Sequence, residues 1–268
     1  MKLHIRHRTV YRYAAPVAYS IQLLRLVPRE DGVQHALSWH VDVPGRRCLQ
    51  TDAFGNRSQL VTVEGTHTEL AIEAHGVVDT RDDTGGWIVD DGRLSPLAYL
   101  SASTLTQPND ALAQLGEGLF SPDADLIADA QQLMDRVTAA VIYRTGVTGV
   151  ADTAQDALLR GEGVCQDQAH VALSVCRAAG IPARYVSGYL HDAAAAHSAS
   201  HAWIDLWDDA RKVWLSCDVT HRRLAAGNLC RLAVGRDYLD AAPVRGMRRG
   251  GGEEEMSVSV QVSAQQQQ

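Results

Sequence analysis

Apolar and polar residues alternate through the first third of the chain. "LHIRHRTVYRY" sets Leu3 and Ile5, then Val10, among polar neighbours. "QHALSWHVDV" opposes Leu37, Trp39, Val41 and Val43 to Ala36, Ser38, His40 and Asp42, and "SQLVTVEG" and "HTELAIEAHGVV" repeat the pattern. A period of two marks half-buried strands. The turn-forming stretches "VPG" (Val43–Gly45) and "FGN" (Phe54–Asn56) punctuate these strands. Residues 1–80 are therefore expected to form a β-sandwich-like or barrel-like domain. The polar, glycine-rich "RDDTGGWIVDDGR" (81–93) is the best candidate linker.

Beyond it the period lengthens. "SPLAYLSAST" and "SPDADLIADAQQLMDRVTAAVIYR" read as helices, the second with Ser121 as N-cap, Pro122 in the first helical position and an apolar stripe from Leu126 to Ile142. "DTAQDALLR" reads as a shorter helix capped by Asp152 and ended by Gly161 or Gly163. "EMSVSVQV" returns to strict alternation and predicts a strand that rejoins the N-terminal sheet; a disordered polar tail, "SAQQQQ", follows. The expected division is 1–80, 81–250 and 251–268.

Composition narrows the function classes. A formal charge of −7, spread along the sequence, argues against a nucleic-acid or anionic-membrane partner. No apolar run reaches the ~20 residues of a membrane helix. The charged "MKLHIRHRTVYRY" lacks the apolar core of a secretory signal, so a cytoplasmic protein is expected. Five scattered cysteines without a C-x-x-C match neither a disulfide framework nor a zinc site. His197 and His201 have helical spacing, but "HSASHAWIDLW" reads as a strand, and no calcium loop of the D-x-D-x-D-G type occurs. Neither metal nor cofactor is expected.

One cysteine stands apart. Cys165 follows Gly161 and Gly163 and opens a run in which Ala169, Ala172, Val175, Cys176 and Ala179 recur at helical spacing. In the first turn, unpaired N–H groups and the positive end of the helix favour a thiolate. Asp167 in the same turn opposes this if ionised. Cys176, about three turns on, reads as core. A nucleophile needs a base and an orienting group. "SHAWIDLW" and "KVWLSCDV" flank "DDAR", a loop of hairpin length. If the hairpin centres between Asp209 and Ala210, His201 faces Asp218, with Cβ atoms about 4.5–5.5 Å apart. Asp205, on the same strand face as His201, is the competing carboxylate. Cross-strand distance favours Asp218.

"GEGVCQDQAHVALSVCRAAGIPARYVSGYL", "SHAWIDLW" and "VWLSCDVT" together resemble the core of the transglutaminase-like superfamily. "LHIRHRTVYRYAAPV", "LRLVPR", "DAFGNR" and "LAVGRDYLDAAPVRGMRRGGGEEEMSVSVQV" resemble a bacterial branch with a β-rich N-terminal domain. The resemblance implies an α+β fold, with a β-sandwich-like N-terminal domain followed by a papain-like core of helices on an antiparallel sheet. It places the nucleophile on Cys165, the general base on His201 and the orienting carboxylate on Asp218. Two departures stand out: the D-P-T triplet is "DVT" at Asp218–Thr220, and the common aromatic after "CQD" is Gln168. The implied chemistry is acyl transfer from an amide. A peptidase or amidase acting on a peptide or amide substrate with water as acceptor is the first expectation. A true transglutaminase with an amine acceptor is the second, and an inactive binding module the third.

Overall fold

The computed structural model describes all residues except 82, 122–123, 193–198 and 266–268. The architecture is α+β, with two antiparallel six-stranded sheets and helices gathered against the second.

The alternating N-terminal segments become β1 (Lys2–Leu24), β2 (Gln34–Asp42), β3 (Arg46–Thr51) and β4 (Arg57–Thr80). β1 and β4 are long enough to serve two sets of partners. Their register shifts between Arg12 and Val17. On one side of that break β4 carries β2, and on the other it carries β3. The sandwich-like unit is therefore one continuous sheet divided by irregularities in its two central strands. Leu3, Ile5, Val61, Leu70 and Ile72 fill its core.

The expected linker contains structure. β5 (Trp87–Val89) hydrogen-bonds to the edge of the second sheet, opposite Val213–Leu215. "SPLAYLSAST" forms only a 3₁₀ turn, Pro96–Leu100, capped by Ser95. Then come α1 (Asp110–Leu115), α2 (Leu126–Ala140), β6 (Ile142–Tyr143), α3 (Ala154–Arg160), β7 (Glu162–Gly163) and α4 (Cys165–Ala178). The caps differ from expectation. Asp125, not Ser121, accepts the N–H of Ile127 at the start of α2, and Pro122 lies outside the described residues. Thr153, not Asp152, caps α3, because Thr153 and Asp156 satisfy each other's N–H groups. Asp152 instead accepts the N–H of Gly149.

The second sheet holds β8 (Ala183–Leu190), β9 (Ala199–Asp208), β10 (Val213–Asp218), β11 (Arg223–Leu224) and β12 (Leu229–Gly235), in the order β11-β10-β9-β8-β12. Ala202, Ile204 and Leu206 of β9 join Leu215 and Cys217 of β10 under α4, whose Ala169, Ala172, Val175 and Cys176 are wholly buried. After α5 (Tyr238–Ala241), the chain returns to the first sheet as β13 (Val244–Gly250) and β14 (Glu254–Gln265). Both pair with β1, so the alternating "EMSVSVQV" rejoins the N-terminal sheet. Tyr189, Cys230 and Leu232 of the second sheet pack into the first sheet's core.

A buried layer of charge also ties the two sheets together. Asp205 is fully buried and bonds Arg184 at 2.7 Å and Arg231 at 2.6 Å. Arg231 continues to Asp31 at 2.7 Å, in the segment between β1 and β2.

Candidate active site

Cys165 is the first residue of α4 and is half-buried. The approach to it is fixed by the backbone. Gly161 ends α3 at φ 74°, and the N–H groups of Ile142 and Arg144 bond the carbonyls of Gly161 and Gly163. The Asp167 carboxylate folds back over Gly163, where a Cβ would lie 2.7 Å from it. That carboxylate accepts the N–H of Val164 and the hydroxyl of Thr148, both at 2.7 Å. Burial pushes the Asp167 carboxyl up despite these bonds.

β9 and β10 form the expected hairpin in a different register. Asp208 pairs with Val213 and Ser216 with Asp205, so paired numbers sum to 421 rather than 419. The reason lies in the loop. Asp208 accepts the N–H of Arg211 at 2.9 Å and its guanidinium at 2.6 Å, and Lys212 adopts φ 56°. The turn therefore closes one residue later than expected. His201 and Asp218 are diagonal neighbours, not directly opposed. A shift of two in the partner leaves both side chains on the same sheet face. The imidazole spans the diagonal: His201 Nε2 lies 2.8 Å from Asp218 Oδ1. Because a carboxylate only accepts, Nε2 carries the donated proton and Nδ1 is the nitrogen left for Cys165. The His201 ring is stacked on Trp203.

Burial alone would lower the His201 pKa. Hydrogen bonds to Asp218 and to the Cys165 side chain outweigh it and raise it to about 10. Burial would likewise raise Asp218, but bonds from His201 and His221 hold it below the usual carboxylate range. Asp205, the competing carboxylate, is occupied by Arg184 and Arg231 and takes no part in this arrangement. Cys176 is sealed in the core, where burial pushes its thiol up to about 12. His197 lies outside the described residues.

Cys165 and His201 open onto a cavity of about 290 Å³, shared with Tyr143, Gln166, Tyr185 and Tyr238. Desolvation raises both Tyr143 and Tyr185, and proximity to Cys165 adds to it. A larger cavity of about 670 Å³ lies along β2 and β3, but Cys165, His201 and Asp218 do not line it. The three tyrosines are separated in sequence by tens of residues, and no local pattern links them.

His221 escapes a sequence reading, and Gln168, noted there as a departure, gains a role. His221 donates from Nδ1 to Asp218 Oδ2 at 2.8 Å, so the carboxylate lies between two imidazoles. The only local signal was its place three residues after Asp218. His201, Asp218 and His221 are the grouping of metal-ligand type among the described residues, and their facing atoms already satisfy one another. Gln168 donates to the Val141 carbonyl at 2.8 Å and accepts the Thr220 hydroxyl at 2.7 Å. The Gln168 departure thus meets the threonine of the Asp218–Thr220 triplet. The buried amide of Gln168 ties the turn after Asp218 to α4.

Comparison with known proteins bears on the family and the fold. Residues 3–79 match the family model described as the bacterial transglutaminase-like N-terminal region, and residues 113–219 match that of the transglutaminase-like superfamily. An uncharacterised protein of Mycobacterium leprae is 31% identical, with 98% of each chain covered. A protein-glutamine gamma-glutamyltransferase of Pseudomonas aeruginosa is 36% identical over 119 residues, 40% of this chain and 17% of that one. A crystal structure from Cytophaga hutchinsonii, provisionally named a cysteine protease, superposes with a TM-score of 0.80 at 23% identity. It covers 100% of this chain and 92% of its own.

Proposed function

Since this chain belongs to the transglutaminase-like superfamily, we propose that it is a cysteine hydrolase, a peptidase or amidase acting through Cys165, His201 and Asp218. The observation that carries this reading is the His201 imidazole, bonded to Asp218 at 2.8 Å on one side and engaged with the Cys165 side chain on the other. With its pKa raised to about 10, His201 is an imidazolium at neutral pH and pairs with the Cys165 thiolate. The sulfur attacks an amide carbonyl, and backbone N–H groups at the start of α4 help stabilise the oxyanion. As the C–N bond breaks, His201 gives its proton to the departing amine and a thioester remains. His201 then takes a proton from water, which attacks the thioester and releases the acid and Cys165. Asp218 holds the ring in the required orientation throughout. Five unpaired thiols support a reducing, cytoplasmic setting for this chemistry.

The similarity to a protein-glutamine gamma-glutamyltransferase favours a second reading, in which an amine replaces water at the thioester. One experiment separates the two. A glutamine-bearing peptide is incubated with a labelled primary amine, and the products are resolved by mass. Free acid without amine adduct supports hydrolysis. Amine incorporation supports transfer. Neither product, or equal product from Cys165→Ala, refutes both.

A further inference from the structure

His221 lies in the tight turn that closes between Asp218 and Arg223, a paired position of β10 and β11. The carboxylate itself organises this turn. Asp218 Oδ1 takes the backbone N–H of His221 at 3.4 Å as well as His201 Nε2 at 2.8 Å. Oδ2 takes the His221 ring at 2.8 Å, with the Arg223 guanidinium further off at 3.6 Å. Asp218 is wholly buried, so no solvent replaces a lost partner. Each oxygen thus has one short bond to an imidazole, and the two bonds fix the carboxylate plane. If the His221 bond were lost, the group could rotate about its terminal torsion, which is broad for an aspartate. The bond aimed at His201 would loosen with it.

We propose that His221 is a positioning residue for the Cys165, His201 and Asp218 triad, holding Asp218 so that Oδ1 stays directed at His201; this rests on the function proposed above. His221 does not meet the substrate cavity. Its other side opens with Arg223, His191 and Asn228 onto a separate cavity of about 580 Å³. Its side chain is 33% exposed, so exchanging the ring leaves the packed core untouched.

The proposal turns on one donor, so the test varies that donor. In His221→Asn, the amide nitrogen stands as many bonds from the backbone as Nδ1 and still donates. His221→Phe keeps a ring without a donor, and His221→Leu gives a smaller apolar control. Against the glutamine peptide, His221→Phe and His221→Leu are expected to lower kcat by about 10- to 100-fold with KM little changed. His221→Asn is expected to stay within a few-fold of the unmodified enzyme. In proton NMR, the His201 Nε2–H resonance should survive in His221→Asn and broaden or vanish in His221→Phe. Normal kcat in His221→Phe, or an equal loss in His221→Asn, overturns the proposal. Asp218→Asn separates the two claims. If it is slow while His221→Phe is normal, only the positioning role fails. If Asp218→Asn is also normal, the triad fails and the positioning role goes with it.

Discussion

Alkylation of the native protein should modify two of its five thiols. Three cysteines, Cys176, Cys217 and Cys230, are fully buried, Cys165 is half-buried and Cys48 is exposed. Burial pushes the Cys176 thiol up to about 12 and raises Cys217 and Cys230 well above their ordinary range. At pH 7, a thiol of pKa about 12 is ionised to roughly one part in 10⁵, against about 3% for a free thiol near 8.5. Cys176 is therefore disfavoured by about 3,000-fold before access is considered. Labelling through opening is disfavoured by at least a similar factor, because exposing the core costs on the order of 5 kcal/mol or more. Iodoacetamide labelling followed by intact mass and peptide mapping should show adducts at Cys165 and Cys48, with the other three appearing only in denaturant. Cys165 should react first, because His201 engages its side chain. In His201→Ala the Cys165 rate should fall at least about tenfold while Cys48 keeps its own. The reasoning is refuted by a third native adduct forming as fast as these two, or by unchanged Cys165 labelling in His201→Ala.

Three other outcomes are expected. Buried His7 and His170 have pKa values lowered to about 4 and about 3 by desolvation, so the unfolded chain binds two more protons below pH ~6.5. Stability should fall by about 2.7 kcal/mol per pH unit between pH ~6 and ~4.5, and urea titrations of His170→Asn should show about half that slope. Asp205→Ala leaves Arg184 and Arg231 without their shared carboxylate and should cost about 3–5 kcal/mol in urea unfolding. The milder Asp205→Asn, where folded, should keep more activity than Asp218→Asn, the reverse of what an orienting Asp205 would give. Gln168→Leu and Thr220→Val remove the same hydrogen bond, so a double-mutant cycle in urea should give a coupling of about 1 kcal/mol rather than additive losses.

The residues that approach one another at Cys165 were legible to different degrees. The place of Cys165 at a helix start followed from local spacing and the glycines before it. The hairpin partner of His201 also followed, although the register did not. An error of one residue in the turn centre moves the partner by two, and side-chain direction repeats every two residues. His201 and Asp218 were therefore placed on one face for a reason that tolerated the error. What set the true register was Asp208 folding onto Arg211, a contact that alternation does not encode. Asp205 and Asp218 look alike in sequence. Cross-strand distance already favoured Asp218, and Arg184 and Arg231, from two other strands, occupy Asp205. His221, and the role of Gln168, were hidden for a similar reason, since their meaning depends on which atoms a turn brings to them. The short β5 was read as linker because three residues carry too little period to register.

The double partnership of β1 has a consequence for the order of synthesis. This first strand lies between β4 and the strands β13 and β14, and pairs Lys2 with both Asp79 and Gln265. As the chain leaves the ribosome, β1 and β4 meet early, but the outer edge of β1 waits for residues beyond Val244. Until then that edge presents unpaired N–H and C=O groups, a template for another strand. The strands that close the first sheet are thus made after all of the second sheet. A nascent chain halted before Val244 should be the form most prone to associate with its own kind.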